Sequence, residues 1–402
     1  MHAEFLPGNR IELLNSGADY FPALLRDLDA AECEIFLESY IYANDRIGHA
    51  VSAALCRAAA RGVRVRLTVD GFGARDFDTD FLPLLKAAGV ETMRYRPEIG
   101  TFRLRRHRLR RLHRKLAVID GRIAYVGGIN IVDDYNAPPA MCPRYDYAVR
   151  VEGPVVARVH AAALRMWEIV TWASLKRRFR PATVNRLFCP ISGEQRAAFL
   201  IRDNIRHRHD ILNAYLAAIQ AARSDILIAN AYFLPGLRFA RALLAAVRRG
   251  VRVRILLQGK TDHPLLRYAT QALYEAALDA GIEVYEYEKS FMHAKVAVID
   301  GHWATVGSSN IDPFSLLLAK EANLVIDDPS FAETLRSSLE NEMASGAQRM
   351  LPAQFARQGL SSRFVRWLSY ALVRLLVGLT GYGPKHWQAD EETPGITPSE
   401  DR

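Results

Sequence analysis

The sequence predicts an α/β protein made of two copies of one fold, because three segments recur in the same order in its two halves. The recurring pairs are residues 61–66 with 249–254, 88–91 with 280–283, and 113–121 with 293–301. The first pair is identical, and the third pair repeats a histidine, a lysine and an aspartate at fixed positions. A period of 180 to 192 residues is far too long for a solenoid. The chain is therefore predicted to be a duplicated domain.

Within each half, strand-like apolar segments alternate with alanine-rich helical segments. Residues 35–37 and 226–228 resemble strands, helices are predicted at 50–61 and 239–249, and the Val-Arg-Val-Arg segments are strands again. This β-α-β-α-β order predicts a largely parallel sheet sandwiched between helices. Asp120-Gly121 and Asp300-Gly301 fall between apolar segments, where they predict hairpin turns.

The repeat also gives domain boundaries. We predict an N-terminal domain at 1–172, a basic linker at 173–197, a C-terminal domain at 198–350, and an amphipathic helix with a disordered polar tail at 351–402. The match at 88–91 is displaced by 192 residues but the histidine match by only 180, so the first half carries 12 extra residues. They fall within 96–111, an arginine-rich stretch that directly precedes the first histidine.

Composition and charge indicate a globular protein with an anionic partner. Half of the 402 residues are hydrophobic and 24% are charged, and the net charge is +9. Such a charge favours either nucleic acid or an anionic membrane surface. The four cysteines form neither a zinc motif nor a disulfide framework, which indicates a reducing compartment. We recognise no signal peptide and no spanning segment, so the catalytic body is expected in the cytoplasm.

Two His-x-Lys pairs carry the predicted chemistry. Side chains at positions i and i+2 of a strand share a face, so His113 projects with Lys115, and His293 with Lys295. Asp120 and Asp300 follow at an odd spacing and at a turn, which favours a structural role in holding that turn. A lone His-x-Lys pair is most often a solvated surface pair, but two matching copies favour a catalytic site.

Further residues after each motif suit a phosphate. Small residues let a phosphate approach the backbone, and asparagine amides can donate to its oxygens. Each half also has a carboxylate near the start of a late strand, which could orient an imidazole and stabilise its cation. The predicted phosphate-binding residues are Gly128, Asn130, Ser308 and Asn310, and the predicted histidine-orienting residues are Asp146 and Glu321.

These residues predict phosphodiester chemistry through a histidine nucleophile. One imidazole attacks phosphorus and forms a phosphohistidine, while the other protonates the leaving alkoxide and then deprotonates the incoming hydroxyl. The two lysines and two asparagines offset charge on the non-bridging oxygens. No metal-ligand cluster is evident in the sequence, and we expect no cofactor.

The chain resembles the phospholipase D superfamily, whose signature is His-x-Lys-(x)4-Asp followed by Gly-Gly or Gly-Ser-x-Asn. Within it, the resemblance to the bacterial cardiolipin synthases without N-terminal spanning helices extends to about residue 350. It implies two α-β-α sandwich domains packed as a pseudo-twofold pair around one active site. It also implies that His113, Lys115 and Asp120 face His293, Lys295 and Asp300. The implied reaction transfers a phosphatidyl group between two phosphatidylglycerol molecules, giving cardiolipin and glycerol.

Two basic segments favour a membrane partner over nucleic acid. Residues 362–379 place a tryptophan and several leucines on one broad arc with arginines on the other side, a pattern typical of interfacial helices. The alternative is a terminal helix packed on the protein. The arginine-rich stretch at 96–114 has the alternatives of a solvated loop or a nucleic-acid-binding face. We expect a peripheral protein on the cytoplasmic face of the cell membrane, with phosphatidylglycerol as partner and no nucleic acid.

Two other functions remain open at this point. The same chemistry with water as acceptor would give a phospholipase D-type hydrolase or a nuclease, and Trp303, Tyr232 and Phe233 could stack on bases. A membrane-binding scaffold without activity is the alternative from a different class. Both complete motifs argue against the scaffold. The motifs do not distinguish which histidine attacks or which alcohol accepts.

Overall fold

The computed structural model describes residues 4–96, 110–174, 189–260, 264–352 and 360–377. Most of the arginine-rich stretch before His113, most of the predicted linker and the polar end of the tail therefore lie outside the described residues. Both histidine motifs and all of the predicted site residues lie inside them.

The fifteen described strands form one continuous sheet. They are β1 (Leu6–Asn15), β2 (Glu34–Ser39), β3 (Arg64–Asp70), β4 (Glu91–Tyr95), β5 (Lys115–Ile119), β6 (Ile123–Gly127), β7 (Tyr147–Glu152), β8 (Gln195–Arg202), β9 (Asp225–Asn230), β10 (Arg252–Gln258), β11 (Glu283–Tyr287), β12 (Lys295–Ile299), β13 (Trp303–Gly307), β14 (Glu321–Asp327) and β15 (Ala347–Arg349). Their order across the sheet is β15-β11-β10-β9-β12-β13-β14-β8-β1-β7-β6-β5-β2-β3-β4.

The strand order confirms the duplication. Read outward from the centre, the first half runs β1-β7-β6-β5-β2-β3-β4 and the second runs β8-β14-β13-β12-β9-β10-β11, with β15 added at its edge. The antiparallel pairing of β1 with β8 joins the two halves. Equivalent strands therefore lie at equal distances from the centre of the sheet, as expected of a pseudo-twofold pair.

The prediction of a largely parallel sheet is wrong. Strands β2, β3 and β4 run parallel, as do β9, β10 and β11. The other described neighbours are antiparallel. The histidine motifs are the reason, since β5–β6 and β12–β13 are hairpins that turn at the predicted Asp-Gly pairs. Parallel neighbours need a crossover helix, which a two-residue turn does not supply.

Helices cover both faces of the sheet, and α2 and α7 form where the sequence predicts helices. They are α1 (Ser16–Asp29), α2 (Arg46–Ala60), α3 (Phe77–Asp80), α4 (Leu82–Ala87), α5 (Val156–Ala173), α6 (Asp210–Ala221), α7 (Leu237–Arg248), α8 (Pro264–Gln271), α9 (Tyr274–Asp279), α10 (Pro313–Leu317), α11 (Pro329–Gly346) and α12 (Leu360–Val377). In the described part of the chain, none of them is both long and apolar enough to span a bilayer.

Among the described residues, three large cores hold the layers together. Helices α1 and α2 pack on the first half, and α6 and α7 on the second, each over a core of its own. On β5, Ala117 belongs to the first of these cores and Val118 faces the opposite way, because side chains alternate along a strand. Val118 joins a core that α5 and α11 share between the halves, with Val159 and Leu335 fully buried. Burial of each such side chain contributes about 1.5–3 kcal/mol to the stability of the fold. This shared core fixes one half against the other.

Candidate active site

Each histidine is held by a segment of the opposite half. His113 lies two residues before β5, and its backbone N–H donates to the carbonyl oxygen of Lys320 at 2.9 Å. The backbone N–H of His293 donates to the carbonyl oxygen of Tyr145 at 2.7 Å. Lys320 and Tyr145 come directly before the predicted late carboxylates of their own halves. The backbone thus carries each histidine to the other half's carboxylate.

The side chains complete this exchange. His113 Nδ1 lies 3.0 Å from both carboxylate oxygens of Glu321, and His293 Nδ1 lies 2.7 Å from Asp146 Oδ2. Both carboxylates are buried. The sequence predicted these contacts with histidine but not that they cross between the halves. A carboxylate on Nδ1 fixes the tautomer and leaves Nε2 as the reactive nitrogen.

Both lysines are buried beside the histidines. Lys115 Nζ donates to the carbonyl oxygen of His113 at 2.7 Å, and Lys295 Nζ donates to that of His293. Lys295 Nζ also lies 3.7 Å from Asp146 Oδ2. A buried ammonium group is costly unless it meets an anion. Two of them in one site favour an anionic ligand.

Burial shifts the protonation of the whole cluster. It lowers the pKa of His113, against the opposing effect of Glu321. It lowers the pKa of His293 further, and the charges of Lys295, Lys115 and His113 act in the same direction. The two motifs are therefore close enough to sense each other's charge. A lowered pKa favours the neutral imidazole, which is the form that can attack phosphorus.

The lysines and one carboxylate titrate near neutrality. Burial lowers the pKa of Lys115 to about 7 and that of Lys295 to about 8, although neighbouring carboxylates oppose both shifts. Burial raises the pKa of Asp146 to about 6, against the opposing charge of Lys295. The free site is thus poised to gain or lose charge within the physiological range.

We predict a bell-shaped pH profile for kcat/KM, which reports the free enzyme. Activity should fall as pH drops through about 6, since Asp146 then gains a proton and loses the charge that faces His293. It should also fall above about 7 to 8, as Lys115 and Lys295 lose their ammonium charge. The measurement is initial rate on soluble short-chain phosphatidylglycerol. A profile that stays flat from about pH 5 to 9 would contradict these protonation states.

The predicted phosphate-binding residues are only partly available. Asn130 uses its side-chain oxygen to accept from the backbone N–H of Ile41, so its amide N–H groups are what it could offer a phosphate. Asn310 is buried, and its side-chain oxygen has no hydrogen-bond partner. A Cβ atom at Gly128 would lie 2.3 Å from Asp146 Oδ1, so this glycine makes room for the carboxylate.

Ser308 requires a correction. Its hydroxyl is fully buried and donates to Glu321 Oε2 at 2.6 Å, and it also accepts from the backbone N–H of Ala322 at 3.0 Å. The hydroxyl is therefore occupied in fixing the carboxylate that faces His113. Gly128 holds the equivalent place in the first half. These two positions support the histidine-orienting carboxylates.

Asp120 and Asp300 hold the hairpin turns. Asp120 accepts from the backbone N–H groups of Glu32, Cys33 and Glu34 at 2.7–2.9 Å. Asp300 accepts from three backbone N–H groups at the start of β9, at 2.8–3.0 Å. Each aspartate directly follows a five-residue strand that begins at its lysine, so the two are roughly 16 Å of chain apart. These bonds agree with the structural role predicted from the spacing, and they place both carboxylates at the turns, away from the lysine end of each strand where the resemblance implied that the motifs meet.

We predict that Asp300→Ala costs stability and not chemistry. The change leaves three backbone N–H groups without an acceptor and puts alanine at a positive φ of 51°, so unfolding should become easier by about 1–3 kcal/mol. Turnover per folded molecule should stay within about threefold. Denaturant unfolding and active-site titration measure the two effects. Asp300→Asn is the matched control, because asparagine keeps an acceptor and tolerates positive φ. Lost turnover at unchanged stability would contradict the prediction.

Two further positions were missed from sequence. Asp70 Oδ2 accepts from the backbone N–H of Leu112 at 2.8 Å, and Gln258 Oε1 accepts from that of Met292 at 2.5 Å. Each acceptor is buried at the end of a Val-Arg-Val-Arg strand and holds the residue before a histidine. The sequence repeat could have revealed them, because Asp70 and Gln258 occupy equivalent positions in the two halves and both carry a side-chain oxygen.

The assembled site brings together two imidazoles, two ammonium groups and two buried carboxylates. Each Nδ1 is bonded to a carboxylate, and each imidazole sits beside an aromatic ring. Tyr40 lies edge-on to His113 at 4.9 Å between ring centroids, and Phe291 stacks on His293 at 6.0 Å. One imidazole could attack a phosphorus atom while the other handles the proton of the leaving group.

Comparison with known proteins agrees with this site. A family model described as "Cardiolipin synthase, PLD-like domain" matches residues 24–167 and 215–343, once in each half. Cardiolipin synthase B of Escherichia coli is 38% identical over 96% of this chain and 93% of its own length. The minor cardiolipin synthase ClsB of Bacillus subtilis is 31% identical over 90% of this chain and 88% of its own.

Solved structures share the fold at low identity. Phosphatidylserine synthase of Haemophilus influenzae superposes with a TM-score of 0.71 at 14% identity, over 94% of this chain and 96% of its own. A polyphosphate kinase of Porphyromonas gingivalis superposes with a TM-score of 0.57 at 16% identity, over 93% of this chain and 53% of its own. Together with the duplicated motif and the paired histidines, the family match and the full-length relatives show that this chain belongs to the phospholipase D-like cardiolipin synthase family.

Proposed function

We propose that this protein is a cardiolipin synthase that transfers a phosphatidyl group from one phosphatidylglycerol to another and releases glycerol. The main support is the pairing of His113 with Glu321 and of His293 with Asp146, which prepares two Nε2 atoms for one phosphorus. Relatives named cardiolipin synthase over nearly the whole chain support the same reaction.

The proposed first half-reaction forms a phosphatidyl-histidine. The Nε2 lone pair of one histidine attacks phosphorus, and the bond from phosphorus to the glycerol oxygen breaks. The other histidine, protonated at Nε2, gives its proton to that oxygen, so glycerol leaves as a neutral alcohol. Substrate brings a further negative charge to the buried Lys115 and Lys295, and their ammonium groups offset charge on the non-bridging oxygens.

The second half-reaction reverses these roles with a new alcohol. A hydroxyl of a second phosphatidylglycerol passes its proton to the now neutral second histidine, and its oxygen attacks phosphorus. The nitrogen–phosphorus bond breaks and returns the first histidine to its neutral form. We propose catalysis by His113, Lys115, His293 and Lys295, phosphate binding by Asn130 and Asn310, and orientation by Asp146 and Glu321.

We also propose that the reaction takes place at the cytoplasmic face of the cell membrane, with the protein bound peripherally. All four cysteines are free, as expected in a reducing compartment. The net charge of +9 favours the surface of an anionic membrane.

A reaction with purified protein and phosphatidylglycerol vesicles tests the function. Cardiolipin and glycerol formed in equal amounts are the expected products. Phosphatidic acid without cardiolipin would instead indicate a hydrolase that uses water as acceptor. Plasmid DNA in a parallel reaction tests for nuclease activity, and no product in any reaction would favour an inactive scaffold.

A further inference from the structure

Helix α12 packs against the protein through its less apolar side. Ser369 and Val373 are buried, and Tyr370 is partly buried. Val373 joins a small core with Leu234 and with Ala269 of α8. The sequence left two alternatives for this segment, a membrane helix or a helix packed on the protein. The structure shows α12 packed on the protein with its apolar side outward.

The outward side of α12 is unusually apolar. At 100° per residue, its large exposed side chains cover an arc of about 160°. A helix packed only for stability would bury this arc and leave the serine side in water. The exposed residues, each with 40–61% of its surface accessible, are Phe364, Val365, Trp367, Leu368, Leu372 and Leu375.

Helix α8 extends this surface. Leu265 and Tyr268 of α8 are 39% and 43% exposed. Neither helix contains an aspartate or glutamate, whereas α12 contributes three arginines and α8 one. Exposed aromatic and aliphatic side chains on two helices that lack acidic residues match the interface of an anionic bilayer, where rings lie at the headgroup level. We call the eight exposed apolar residues of α8 and α12 the docking surface.

The docking surface lies close to the active site. Val373 lies in the same small core as Leu234, which is two residues after Tyr232, and the Tyr232 ring lies 6.5 Å from that of His293. One pocket is lined by both Tyr232 and Leu266 of α8, together with Gln258, which holds the residue before His293. A bilayer that covered the docking surface would therefore meet the protein beside the histidines.

We propose that the paired helices α8 and α12 dock the protein on an anionic bilayer and present the active site to lipid headgroups. This inference rests on the proposed function only for its choice of lipid. The folded catalytic body needs no spanning helix for this attachment. The phosphate of a lipid substrate then has to move only from the headgroup layer to the adjacent histidines.

The test measures vesicle binding, and turnover on two substrates, in variants of the docking surface. Trp367→Glu, at a side chain that is 61% exposed, should weaken partition onto phosphatidylglycerol vesicles by about tenfold. The ratio of turnover on vesicles to turnover on soluble short-chain phosphatidylglycerol should fall by a similar factor. Tyr268→Glu on α8 should act in the same direction. Phosphatidylcholine vesicles should bind the unaltered protein less well, because they lack the negative charge.

Ile191→Glu is the matched control. Ile191 is 79% exposed and lies near Gly8 at the start of β1, the end of that strand far from the site. Both the vesicle partition and the turnover ratio of this variant should therefore be unchanged. Unaltered partition of Trp367→Glu would overturn the proposal. A change from oligomer to monomer in sedimentation, with vesicle binding intact, would overturn it in favour of a second copy. Vesicle binding that depends on Trp367 without cardiolipin formation would support docking and reject the proposed reaction.

Discussion

Replacing either His113 or His293 with alanine is expected to lower kcat/KM for phosphatidyl transfer by at least about 10³-fold, or about 4 kcal/mol. Loss of the nucleophile removes the covalent path. Loss of the second imidazole leaves an alkoxide that must depart without a proton. Each ring contacts a carboxylate of the opposite half, so neither histidine forms a site without the other half.

The double variant tests whether the histidines act as one unit. Residues that act together lose activity together, so His113→Ala with His293→Ala should be little worse than either single change. Independent sites would instead give losses that multiply. Thermal unfolding should change little, because each ring is only partly buried and leaves no large cavity. Circular dichroism on each variant checks that the loss of activity does not come from unfolding.

A substrate with a good leaving group separates the two roles. Replacing glycerol with 4-nitrophenol removes the need for an acid, because the phenolate leaves without a proton. Release of 4-nitrophenol should be restored in the variant that lacks the acid and remain absent in the variant that lacks the nucleophile. Mass spectrometry of the trapped adduct should then find the phosphatidyl group on the histidine whose loss is not rescued. Rescue of both variants would contradict a covalent path.

The duplicated fold could be predicted because the repeat preserves particular residues. The identical 61–66 and 249–254 segments become β3 and β10, which occupy equivalent places in the sheet. The odd spacing of Asp120 and Asp300 from their histidines correctly indicated a role at the turn. Strand direction was not predictable in the same way, since apolar periodicity locates a strand but does not encode its neighbour.

The crossing of the carboxylates could not be predicted from sequence. His113 and Glu321 are 208 residues apart, and His293 and Asp146 are 147 apart. Motif matching finds such residues but gives no register between the halves. Their register comes from the backbone hydrogen bonds of His113 and His293 to the opposite half, together with the shared core of α5 and α11. Ser308 was misassigned for the same reason, because its bond to Glu321 depends on the folded hairpin.

Glu321→Gln and Asp146→Asn are expected to lower kcat/KM by about 10²–10⁴-fold while leaving the protein folded. Both substitutions keep an oxygen that can accept from Nδ1 but remove the charge that stabilises the imidazolium. Asp225→Asn is the control. This buried carboxylate lies at the start of β9, pairs with Arg254 of β10 and contacts neither histidine. Its change should affect stability more than turnover.

The crossing makes a further prediction about which pairs are coupled. In double-mutant cycles, Glu321→Gln should add little to the loss caused by His113→Ala, because Glu321 acts through that ring. Asp146→Asn should likewise add little to His293→Ala. The 4-nitrophenyl substrate sharpens the test, since the carboxylate that serves the acid should be rescued along with the acid. A site in which each histidine used the carboxylate of its own half would reverse the pairing in this rescue, with Asp146 rescued along with His113 or Glu321 along with His293.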